Sequence, residues 1–141
     1  MKRILERPQL LFLVLAPAIL LLGFFNKGDS ITVAIYDTYF VLDTWSVSLY
    51  SAVFFLMIAL NYTLLSFAKK KPKRKFIVLH ILLQIIALIP FTYVFYMFDH
   101  NKEYEQESQI MLIFVLSFFL FLLATILHFI TFIGSLRRKK E

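Results

Sequence analysis

The chain has no cysteine at all. That excludes a disulfide framework, a zinc–thiolate or iron–sulfur centre, a thiol nucleophile and a lipidated N-terminal cysteine. Charge is scarce: Asp, Glu, Lys and Arg make up 17% of the 141 residues, where a soluble domain carries about a quarter. Glycine is scarcer still, with only Gly23, Gly28 and Gly134. No Gly-xxx-Gly helix seam is available, and no inverted repeat of Gly/Pro-broken helices is visible, which disfavours a transporter fold. What fills the sequence instead is hydrocarbon. Hydrophobic residues account for 60%, aromatics for 18%, and there are 17 Phe. A domain this small has too much surface for its volume to hide that content from water. A soluble globular enzyme, a disordered linker and a nucleic-acid-binding domain are excluded, and a membrane protein is the class that is left.

Four uncharged runs organise the chain: residues 9–25, 44–68, 76–98 and 108–136. A hydrocarbon core about 30 Å thick needs roughly 20 helical residues. Inside lipid each backbone N–H must be satisfied within its own segment, so each run is expected to be a helix. None shows the period-2 alternation of a barrel strand. The reading is an all-α, four-helix integral membrane bundle forming a single domain. Pro8 suits a first helical turn, and Pro17 and Pro90 are expected to kink or loosen their spans.

Charge is sorted by connector. Thirteen of the 15 Lys and Arg lie in the N-terminal segment, the connector 69–75 and the C-terminal tail. The connectors 26–43 and 99–107 hold seven of the 9 acids and only Lys27 and Lys102. Cytoplasmic loops retain Lys and Arg, so both termini and the basic connector are expected in the cytoplasm of a bacterium, with the chain in its inner membrane. The first run follows a basic start and contains Ala16-Pro17-Ala18, a small-x-small triplet. Cleavage there would bisect the run, so it reads as a retained anchor. The basic connector 69–75 would also attract anionic lipid heads.

The connector 26–43 carries apolar residues that no membrane crossing requires. Ile31, Val33 and Ile35 alternate with Thr32, Ala34 and Tyr36, the period of a short extended stretch. After it, Asp37-Thr38-Tyr39-Phe40-Val41 is compatible with an early start of the second helix. An exposed apolar segment should pack on something, either its own bundle or a partner. The residues singled out for partner contact are Ile31, Val33, Ile35, Tyr36, Tyr39, Phe40 and Trp45.

Residues 35–47, Ile-Tyr-Asp-Thr-Tyr-Phe-Val-Leu-Asp-Thr-Trp-Ser-Val, and then Ala52-Val53-Phe54 resemble the tenth helix of subunit I of the heme–copper oxidases. The family pattern is roughly L-H-D-T-Y-F-V-V-A-H-F-H-Y followed by G-A-V-F. The direction also agrees, since the charge pattern runs the second span inward from the outer side. The departures fall on the ligands. Thr44 and Ser46 stand where the family has its two heme-ligating His, and Tyr36 replaces a His of an outer magnesium site. Hydroxyls of Thr and Ser are not axial heme ligands. The resemblance therefore implies short stand-alone membrane proteins that keep only this segment, and it does not imply oxygen reduction. Asp37 is left with two readings, a cation ligand at the outer surface or a helix cap.

No charge lies within the spans, and such charges are usually kept for ion or proton movement. A pump, a proton-coupled transporter and a voltage sensor are disfavoured. Two histidines do lie in spans. His80 and His128 sit at similar depth, within about one turn, so antiparallel neighbours could present both to one b-type heme. Alternatively, each is a polar residue bonded near the cytoplasmic interface. The second span carries a polar stripe of Ser48, Ser51, Asn61, Thr63 and Ser66 with Tyr50 and Tyr62, a candidate interhelical seam that Gln84 and Thr92 would answer. The fourth span, with Phe114, Phe118, Phe119 and Phe121, is greasy all round and should face lipid or a larger partner. Among the acids of 99–107, His100 suggests weak metal capture or simply a solvated turn.

No catalytic constellation emerges. The expectation is a non-enzymatic accessory or assembly subunit, without a cofactor, of a larger inner-membrane complex built from other integral membrane subunits. A respiratory-oxidase context follows from the resemblance alone. A small bis-His cytochrome is the alternative, and a small channel or carrier the third reading.

Overall fold

The computed structural model describes residues 7–28, 30–35, 38–70, 72–100 and 107–137. The chain is mostly helical. In order it forms α1 (Pro8–Phe25), β1 (Ser30–Ile35), β2 (Thr38–Asp43), α2 (Thr44–Phe67), α3 (Arg74–His100) and α4 (Glu107–Leu136). Pro8 occupies the first turn of α1, where its missing N–H costs nothing. α1 runs through Pro17 and α3 through Pro90 without a break in helical assignment. Among the described residues, three helical segments, Pro8–Phe25, Thr44–Phe67 and Leu112–Leu136, are long and apolar enough to cross a membrane.

The second helix starts at Thr44, where the uncharged run begins, and the earlier start with which 37–41 was compatible does not form over 38–41. Residues 38–43 are a strand, paired antiparallel with β1 in the register Ile31↔Leu42, Val33↔Phe40 and Ile35↔Thr38. Tyr39, Phe40 and Val41 favour a pleated surface over a helix, and a local cap fixes where the helix begins. That cap is Asp43. Its carboxylate accepts from the backbone N–H of Ser46 and from the Ser46 hydroxyl, both at 2.8 Å. The Ser46 hydroxyl, followed by the Ser46 amide, holds the exposed carboxyl below its ordinary value. Asp37, read as metal ligand or cap, lies outside the described residues together with Tyr36.

α2 ends in a Schellman turn: Lys70 N–H donates to the Leu65 carbonyl at 2.9 Å and Lys69 N–H to Ser66 at 3.0 Å. Lys69 takes the left-handed conformation, with φ of 55°, and Pro72 follows to stop the helix. The acidic connector is shorter than the charge run suggested, because Asp99 and His100 belong to α3 and Glu107 opens α4. Residues 101–106 lie outside the described residues.

The helices pack as two antiparallel pairs, α1 on α2 and α3 on α4, with fewer contacts between the pairs. α1 buries Phe12, Ala16, Ile19 and Gly23, a single face at helical spacing. It meets a face of α2 formed by Ser48, Ala52, Phe55, Ala59 and Tyr62. Gly23 lets the pair close: a Cβ there would collide with the Ser48 side chain. α4 buries Ser117, Ala124, His128, Thr131 and Ser135, small or polar residues that let helices approach in a membrane. The outward faces are apolar, with Val14, Leu60, Phe119 and Ile130 all largely exposed.

Candidate functional site

One residue from each helix meets in an aromatic and polar knot. The Phe12 ring stacks on Tyr62 and His80, with centroids 5.9 and 5.3 Å apart. His80 and His128 face each other at 4.8 Å with planes tilted by 31°. Tyr62 closes the ring against His128 at 5.0 Å. Both histidines are buried, at 0% and 1% exposure. The Tyr62 hydroxyl is hydrogen-bonded to His80 Nδ1 at 2.9 Å, and Asn61 Nδ2 donates to His128 Nε2 at 3.2 Å. His80 Nε2 and His128 Nδ1 have no partner.

The two histidines are thus brought together from neighbouring helices, but not as heme ligands stand. With metal–nitrogen bonds near 2 Å, imidazoles on opposite sides of one ion hold their centroids about 6 Å apart with the porphyrin between them. Rings tilted against each other at 4.8 Å leave no gap for a macrocycle. Among the described residues no group of three His, Cys, Asp or Glu is placed to hold a metal ion. The chemistry the knot does perform is attachment. It ties all four helices together at one level and satisfies one nitrogen of each imidazole. Asn61 and Tyr62, read as parts of a seam, turn out to be the histidine partners. Thr63 and Ser51 instead bond back to their own helix, at Ala59 and Val47. The signal was available: measured inward from Thr44, Asn61 and Tyr62 lie at the depth of His80.

Toward the hairpin, one turn along α3 from His80, a cavity of about 710 Å³ opens between the helix pairs. Its walls include Phe40 and Leu42 of β2, Phe54 of α2, Gln84 and Ala87 of α3, and Phe118 of α4. Sequence reasoning missed it because a cavity depends on how pairs of helices diverge, which periodicity does not encode. Gln84 is 1% exposed, and neither its Nε2 nor its Oε1 has a partner. Ser117 on the same wall is already bonded to the Ile113 carbonyl at 2.7 Å.

The residues singled out for partner contact divide. Ile31, Val33 and Ile35 lie on β1, paired with β2. Trp45 is half-buried in the first turn of α2. On β2 the alternation sets Phe40 and Leu42 toward the cavity, and leaves Tyr39 and Val41 on the opposite face at 71% and 66% exposure. Comparison with family models, curated proteins and solved structures finds no match.

Proposed function

We propose that this protein is a non-catalytic accessory subunit of a larger bacterial inner-membrane complex, and that it acts by contact through the outward face of its hairpin. All four helices cross the membrane, and the end carrying Lys69–Lys75 and Arg137 lies in the cytoplasm against anionic lipid. The observation that carries this reading is the exposure of Tyr39 and Val41, at 71% and 66%, on a two-stranded sheet. An isolated two-stranded hairpin is marginal in water, and its open edges and aromatic face favour a protein partner. That partner is an integral membrane subunit with a portion outside the membrane. The sequence likeness of 35–54 to the oxidase helix supports a respiratory setting, although its first half here is strand and only its second half helix.

Purification in mild detergent should bring down a stoichiometric membrane-protein companion, and the double variant Tyr39→Ala, Val41→Ser should lose it while keeping its helix content. A solitary chain from the native membrane would contradict the proposal. A reducible heme absorbance in the purified protein would replace it with the cytochrome reading.

A further inference from the structure

We infer that the two buried imidazoles of the knot, His80 and His128, bind one soft monovalent cation, copper(I), with the side-chain oxygen of Gln84 as a third donor. The inference stands apart from the partner proposal, since it concerns the interior of the bundle and not Tyr39 and Val41.

Three observations carry it. The first is the donor set. His80 Nε2 and His128 Nδ1 are both without a partner, in side chains that are 0% and 1% exposed. The second is the spacing. With metal–nitrogen bonds of about 2 Å, two imidazoles on one ion at an angle close to tetrahedral hold their centroids about 5 Å apart. The observed 4.8 Å, too short for the opposite faces of a heme, suits neighbouring ligands on a bare ion. Donors around such an ion stand about 3.3 Å from one another. That leaves no room for water between them, in keeping with nitrogens that are closed to it. The third is the outer shell. A ligating imidazole is usually held through its other nitrogen. Here the Tyr62 hydroxyl lies 2.9 Å from His80 Nδ1, and the Asn61 amide 3.2 Å from His128 Nε2. The Tyr62 oxygen accepts from Nδ1–H when Nε2 ligates. The Asn61 amide, turned over, accepts from Nε2–H through its oxygen in the same way.

Gln84 follows His80 by four residues on α3, the spacing that sets two side chains on one face. A helical side chain leans back toward the N-terminus of its helix, which here is the direction of His80. Its Oε1 is buried without a partner.

Charge selects the ion. All three donors are neutral, the spans hold no charged residue, and among the described residues no further His, Cys, Asp or Glu joins the pair. The Born cost of burying an ion rises with the square of its charge, so a divalent ion without an anionic ligand is strongly disfavoured. Imidazole suits zinc, copper, iron and nickel, and of these copper alone has a stable monovalent ion.

The experiment loads the full chain in detergent with Cu(I) under anaerobic reducing conditions, with Zn(II) in parallel, and counts the metal retained after desalting. One Cu(I) should stay on each chain while Zn(II) washes off. X-ray absorption should show nitrogen and oxygen donors at about 2 Å, imidazole among them, and no sulfur. His80→Leu and His128→Leu should each abolish retention, and His100→Ala should leave it unchanged. Tyr62→Phe should weaken binding by about tenfold to a hundredfold. The variant Tyr39→Ala, Val41→Ser should still hold the metal, so that this inference and the partner proposal fail separately. A chain that retains no Cu(I), retention that survives loss of both His80 and His128, sulfur ligation, or Zn(II) held as tightly as Cu(I) would each overturn the inference. Should the histidine variants fail to fold, the wild-type chain decides. With isotopically labelled histidine nitrogens, Ag(I) as a redox-inert stand-in should shift the magnetic resonance signals of His80 and His128, and a response confined to His100 overturns the site.

Discussion

The two ends of this bundle solve opposite problems. At the end bearing the basic connector, every helix contributes a side chain to one knot, Phe12, Tyr62, His80 and His128. The Lys70 ammonium also reaches across to the Leu136 carbonyl at the end of α4, where a cation favours the helix terminus. Toward the hairpin end Phe54 of α2 still meets Phe121 of α4, at 4.7 Å, but the closest approach is between α1 and α2. Gly23 lies against Ser48, and the Thr44 hydroxyl donates to the Asn26 carbonyl. The two helix pairs there leave a cavity instead of a core. Constraint lies where polar side chains pair across helices. In lipid, apolar surface alone does not drive helices together, so packing and interhelical hydrogen bonds decide which faces close. Polar partners closed one end, and at the other the helix pairs diverge around a cavity.

That contrast can be broken by substitution. The largest effect is expected from Phe12→Ala. It removes a ring at 0% exposure that touches Tyr62 and His80, for a loss of about 3 kcal/mol or more. Phe118→Ala at the opposite end starts from 54% exposure and should stay within about 0.5 kcal/mol. Thermal unfolding in detergent compares them, and equal losses would erase the distinction between the ends. Next in size is Gly23→Val, whose side chain must displace Ser48 from the α1–α2 contact at a cost of about 1–3 kcal/mol.

A finer comparison sets two buried polar groups against each other. Tyr62→Phe strips His80 Nδ1 of its partner and should cost about 1 kcal/mol. Gln84→Leu removes an amide that has no partner and should be neutral or stabilising in lipid-free protein. The reverse order in the same unfolding assay would mean that Gln84, not Tyr62, holds the helices. The smallest effect concerns Asp43. Its folded carboxyl sits below the ordinary value of 3.8, so its capping contribution is complete above about pH 4 and is lost only as pH falls through the depressed value. Protection of the Ser46 amide, taken as its exchange rate relative to the intrinsic rate at each pH, should therefore stay constant near neutrality and fall only in strong acid. Fraying that sets in at pH 6 would place the cap elsewhere.

Much of the helical layout was legible because long uncharged runs between charged connectors leave few alternatives. The nearness of His80 and His128 was legible too, since depth follows from counting along antiparallel helices. Their side-by-side contact was not, because helix rotation and ring orientation depend on neighbours such as Phe12 and Tyr62. The hairpin was half legible. The alternation at 31–36 indicated an extended strand, while the partner strand at 38–43 was obscured by its likeness to the oxidase helix. The register became fixed only by Asp43 stopping the strand and starting α2. The cavity was not legible at all, since no residue pattern reports the space between two helix pairs.

On the proposed function the hairpin end is where this protein meets a partner, and a photoreactive amino acid placed singly at two positions reports that contact. One replaces Tyr39 on the outward face of β2; the other replaces Leu64, 48% exposed near the basic end of α2. Irradiation in native membranes should give a discrete protein adduct from position 39 and only lipid adducts from position 64. An adduct pattern with the protein partner at 64 and none at 39 would contradict the claim.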